Sequence, residues 1–169
     1  MGEASRWAHK QPDLVNHDHG FFEALKDYPT PDQDNAIRAG VFRHLLDNRN
    51  TGSKKDFKVQ FVSVGEIEVD PDPDLIQALE LYPQKQSKKL RVIPASHAMV
   101  VREDGICDRF SGDYAPFLRV NTVKILPNGT AEALASFTDG EYIVRTKVYQ
   151  LEQVYTAWRV NSEKGYIVQ

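Results

Sequence analysis

Three stretches of this sequence carry side chains able to hold a metal or move a proton. The first is Asn16-His17-Asp18-His19-Gly20. His17 and His19 would share a face of a strand, but a catalytic zinc needs three protein ligands and a structural zinc four. Asp18 would point away from that face. Ahead of Phe21 and Phe22 it serves equally well as a helix cap, so the stretch reads as a polar arm and no metal is expected. The second is Asp70-Pro-Asp72-Pro-Asp74, which opens like a calcium loop. Such a loop needs Gly at its sixth position and Glu at its twelfth, where this chain has Leu75 and Leu81. Helix capping accounts for these aspartates instead.

The third group lies between His97 and Asp113. Asp104-Gly105 sits between apolar-rich arms and predicts a two-residue hairpin. That register sets Met99 opposite Phe110, Val101 opposite Asp108 and Arg102 opposite Cys107. A regular strand back to His97 puts the imidazole on the face of Met99 and Val101, with the Cys107 thiol on the other. A Cys–His nucleophile is therefore not expected, and Cys107 reads as structural. His97 and Asp108, with Asp113 nearby, remain catalytic candidates beside an expected ligand pocket of Met99, Val101, Ile106 and Phe110. The plainer alternative is a strand-end aspartate and a surface histidine. "KQSKKLR", residues 85–91, offers charge to a phosphate but reads first as a solvated loop. No phosphate-loop, dinucleotide or G-x-S-x-G pattern occurs.

The elements that must position these residues follow from periodicity. Thr30, Pro31 and Gln33 form a helix start with a capping box, and Ile37, Val41 and Leu45 continue it at helical spacing towards Asn48. Gly40 and His44 lie beside that apolar stripe. Phe57, Val59 and Phe61 alternate as a half-buried strand, with Ile67 and Val69 continuing its parity past Gly65. Asp72 and Pro73 start a short helix carrying Leu75, Ile76, Leu79 and Tyr82. From Leu90 onward reversals at Asp104-Gly105, "LPNGTA", Asp139-Gly140, before Trp158 and at "SEKG" predict an antiparallel meander. A two-residue loop at Asp139-Gly140 pairs Ala135 with Val144, Ala133 with Thr146 and Glu132 with Lys147. Its small apolar face, together with Gly40, predicts close packing of the first helix on the sheet.

The fold class is thus α+β: one main helix near the N-terminus plus a short helix, packed on a curved antiparallel sheet. Residues 1–20 form a polar arm and 21–169 a single domain. The chain has 169 residues, a net charge of −3 and one cysteine, so no internal disulfide forms. The acidic balance argues against nucleic-acid binding. No apolar run approaches the roughly 20 residues of a membrane span, and no signal peptide is read at the N-terminus. A cytoplasmic protein is expected unless a leader has been removed. Apolar residues on both faces of one strand (Leu118, Val120 and Leu126 against Phe117, Val123 and Ile125) predict a homodimer through the sheet.

The end of the chain, "AEALASFTDGEYIVRTKVYQLEQVYTAWRV", resembles the closing hairpins of the nuclear transport factor two-like and cystatin-like α+β folds. Tyr149, Leu151, Trp158 and Val160 carry the likeness, although the turn before Trp158 lacks the usual glycine. The resemblance implies a curved sheet wrapping a helix around a conical pocket. It implies no single function, because such folds serve hydratases, isomerases and dehydratases as well as binding modules. Two functions are carried forward. One is a non-catalytic ligand- or protein-binding or dimerisation module without cofactor. The other is a small-molecule lyase or isomerase using His97 and Asp108.

Overall fold

The computed structural model describes residues 30–48, 57–85, 89–138 and 144–168. The arm with His17 and His19 and the Asp139-Gly140 turn lie outside the described residues. Helix α1, Pro31–Asp47, starts as expected. The Thr30 hydroxyl accepts from the Gln33 N–H at 3.3 Å, and the Gln33 side chain accepts from the Thr30 N–H at 3.0 Å. Two donors that the helix itself cannot satisfy are thereby bonded. Helix α2, Pro73–Leu81, is capped by Asp72, which accepts from the Asp74 N–H at 3.0 Å.

Among the described residues eight strands occur in chain order: β1 Val59–Val64, β2 Arg91–Pro94, β3 Met99–Arg102, β4 Gly105–Asp108, β5 Phe117–Ile125, β6 Ala131–Thr138, β7 Arg145–Val154 and β8 Ala157–Val168. One turn of helix, α3 at Ala95–Ala98, separates β2 from β3. The main sheet runs β2-β1-β5-β6-β7-β8, and β3-β4 is a separate hairpin. The class is α+β, with α1 packed on a curved, mostly antiparallel sheet. The meander expected from Leu90 onward holds only for β5 to β8. Strand β1 pairs in parallel with both β2 and β5. The chain leaves β1, crosses through α2 and returns as β2 in the same direction, as a helical crossover requires. Lying inside the sheet, β1 buries Val59 to Ser63 on both faces rather than one. Gly65, at φ +82, turns the chain back so that Val69 bridges Val64. Ile67 is 81% exposed in that turn and extends no strand.

Two cores result among the described residues. Ile37, Val41, Phe42, Leu45 and Leu46 of α1 meet Leu75, Leu79, Leu118, Val120, Ala131, Ala133, Ala135, Tyr149, Leu151 and Trp158 on one side of the sheet. On the other side, Val59, Phe61 and Phe117 meet Ala95, Ala98, Ile106 and Ala115. Gly40 lets α1 touch the sheet, as predicted, though its contact is Trp158 on β8 rather than the alanines of β6.

The main sheet departs from expectation at three places. In β5 a bulge lies between Val120 and Thr122. The Val120 carbonyl accepts there from the Gly65 N–H at 3.0 Å and from Arg38 of α1. One extra residue inverts the facing of everything beyond it. Val123 and Ile125 therefore join Leu118 and Val120 on the α1 side, while Phe117 packs in the second core. Of the six residues offered for a homodimer through the sheet, Leu118, Val120 and Val123 are buried against α1, Phe117 is buried in the second core, and Ile125 and Leu126 are half-buried. Between β6 and β7, Ala133 faces Tyr149 and Ala135 faces Lys147, three residues from the expected pairing. Glu132 pairs with Gln150 and makes its ion pair with Lys124 at 2.9 Å instead. The reversal expected at "SEKG" is absent, because β8 continues through it with a bulge at Gly165, whose φ is +59.

Candidate functional site

At one end of the main sheet, the starts of β1 and β2 lie beside the loop that joins β4 to β5. The Arg91 N–H bonds the Lys58 carbonyl at 3.1 Å, which sets the two basic side chains on adjacent strands. The loop folds back on β4. The Asp108 N–H donates to the Asp113 carbonyl at 2.8 Å, and the Ala115 N–H to the Ile106 carbonyl at 3.0 Å. Gly112, at φ +73, makes the reversal, a backbone region that favours glycine. Lys58, Val59, Arg91, Asp108, Ser111, Asp113, Tyr114 and Ala115 line a shallow cavity of about 270 Å³.

Each carboxylate there has work within the fold. Asp108 accepts from the Phe110 N–H and from the Ser111 hydroxyl, both at 3.1 Å. Asp113 accepts from the Lys58 ammonium at 3.0 Å. That hydrogen bond, then the charge of Lys58, then Ser111, hold the Asp113 carboxyl below its ordinary range. Tyr114 donates to Asp104, and this bond chiefly pushes the phenol upward. Arg91 differs: among the described residues nothing accepts from its guanidinium.

The hairpin that was to place the candidates closes one step earlier than its sequence suggests. Met99 faces Asp108, Val101 faces Ile106 and Arg102 faces Gly105, so Glu103-Asp104 form the turn. The slip is even, so Cys107 still faces away from Val101, and it is buried. His97 is not on a strand. It belongs to α3, its side chain is 63% exposed, and its Nε2 lies 4.0 Å from Asp70. His97 and Asp108 thus turn to different partners, and only Asp108, with Asp113, reaches the cavity. Of the expected pocket residues, Ile106 is buried in the second core and Met99 packs on its margin. Val101 is exposed, Phe110 is 81% exposed, and neither lines the cavity. The cavity at this end of the sheet is lined instead by Lys58, Arg91, Asp108 and Asp113.

A second cluster was not legible in the sequence. His44 Nε2 meets Glu163 Oε1 at 3.0 Å, and the Lys147 ammonium meets Glu163 Oε2 at 2.6 Å. The His44 ring stands edge-on to Tyr149, with centroids 5.6 Å apart. Its Nδ1 faces the Asn48 amide at 3.4 Å. Lys147 first, and His44 second, hold the Glu163 carboxyl below its ordinary range. Both imidazole nitrogens face partners within the chain, so the cluster ties the end of α1 to β7 and β8. His44 and Glu163 are 119 residues apart, and Glu163 lies in the supposed turn, so no local pattern links them.

Among the described residues, no three of His, Cys, Asp or Glu are placed to hold a metal. No helix among them is long and apolar enough to cross a membrane. Comparison of the chain with protein-family models, curated proteins and solved structures finds no match in any of the three.

Proposed function

We propose that this protein is a non-catalytic module that binds a small polar ligand in the cavity between Lys58, Arg91 and Asp108. The observation that carries this reading is the state of the polar groups there. Asp108 and Asp113 are already hydrogen-bonded in the turn, while Arg91 has donors to offer and no acceptor among the described residues. Asp113 titrates below the ordinary carboxylate range and Tyr114 above the ordinary phenol range. Neither is poised near neutrality, where a general acid or base works best. The lyase or isomerase reading needs His97 and Asp108 on one substrate; His97 lies beside Asp70, while Asp108 lines the cavity.

The test is a thermal-shift screen of small polar molecules against wild type, Arg91→Gln and His97→Gln. A ligand that stabilises wild type and His97→Gln but not Arg91→Gln is expected, with no turnover. Turnover lost in both His97→Gln and Asp108→Asn would restore the enzyme in place of the module.

A further inference from the structure

We propose that the cavity takes a small zwitterion, with the ligand's carboxylate on Arg91 and its ammonium on Asp108. This inference rests on the reading of the cavity as a binding site and adds the chemical class of what it binds.

Matching charges identify the ligand class. Two cations and two carboxylates line the cavity. Lys58 and Asp113 are paired at 3.0 Å. What remains is one cation, Arg91, and one anion, Asp108. Each Asp108 oxygen accepts one bond from the turn, which leaves a further lone pair on each. A simple anion on Arg91 would stand near two carboxylates with nothing for Asp108. A simple cation on Asp108 would stand near Arg91 and Lys58. A molecule bearing both charges leaves every group matched, and unmatched charge is what such a site rejects most strongly. The guanidinium also suits the carboxylate end in shape, since it donates two parallel bonds to two oxygens. Val59 and Ala115 supply an apolar stretch of wall for a short aliphatic side chain. At about 270 Å³ the space suits a molecule of amino-acid size.

The experiment titrates the full chain with L-alanine, with acetate and ethylamine as single-charge controls at equal ionic strength, following backbone amide shifts by NMR. Alanine should bind saturably, with shifts at residues 91 and 108–115. Acetate and ethylamine should each bind at least about tenfold more weakly, the usual cost of losing a charge-assisted contact. Arg91→Gln, on an exposed strand position, should lose alanine by a similar factor while keeping the wild-type spectrum elsewhere. Asp108→Asn keeps an acceptor for Phe110 and should lose the preference for alanine over acetate. Acetate binding as tightly as alanine, or Arg91→Gln binding alanine unchanged, overturns the zwitterion. If alanine fails while another screened molecule shifts the same residues, the ligand class is wrong and the site stands. If no molecule, alanine included, shifts those residues, both the site and the class fall.

Discussion

Substituting Gly40 by alanine should destabilise the protein, although it improves the helix. Gly40 sits inside α1, where Gly→Ala ordinarily gains about 1 kcal/mol. Here the added methyl would lie 2.6 Å from the Trp158 carbonyl oxygen, 3.1 Å from its carbon and 3.1 Å from Leu151 Cδ2. Carbon atoms in a packed interior rest about 3.5–4.0 Å apart. The obstacle is backbone, and Trp158 is held in the β7–β8 ladder opposite Gln153, so rotating a side chain brings no relief. Overpacking of this kind costs about 1–3 kcal/mol, and a rigid obstacle puts it at or above the upper end. After the propensity gain the net loss is about 2 kcal/mol, a fall in Tm of about 4–8 °C for a chain of this size. Ala36→Gly, on the exposed side of the same helix, is the control and should lose about 1 kcal/mol. Denaturant melts followed by circular dichroism report both. A Gly40→Ala protein as stable as wild type, or more so, would show that α1 does not meet β8 as described.

Tyr155 holds a left-handed φ of +57° at the tip of the β7–β8 hairpin and is 94% exposed. Tyr155→Asn should raise stability by about 1 kcal/mol, because asparagine adopts that conformation at lower cost and almost no packing is lost. An unchanged denaturant midpoint would mean the tyrosine makes contacts that offset its strain. Glu163 titrates below its ordinary 4.5 in the folded chain, so its stabilising effect is present above that value and fades as pH falls through the lowered folded value. Glu163→Gln should therefore be less stable than wild type at neutral pH, with the gap closing in acid. Parallel stability curves across that range would remove Lys147 and His44 as its partners.

Much of the local structure could be read from the sequence, because its causes lie within a few residues of one another. Thr30, Pro31 and Gln33 cap α1 across three positions, Asp72 and Pro73 start α2, and the spacing of Ile37, Val41 and Leu45 sets the buried face. Asp104-Gly105 marked a real reversal, and a slip of two residues kept Val101, Ile106, Cys107 and Asp108 on their expected faces. The sheet beyond these segments was decided only when distant strands met. Side chains alternate with period two, so one bulge residue in β5 and a three-residue shift between β6 and β7 each invert what faces α1. The first gathered apolar residues that looked two-sided, and the second brought Lys147 to Glu163 and His44. The cavity is of the same kind: Lys58, Arg91 and Asp108 come from three elements joined by a parallel crossover and a folded-back loop. Residues near in sequence constrain one another through backbone torsions and short hydrogen bonds. Residues far apart meet only where the packed sheet sets their strands, and no spacing along the chain encodes that.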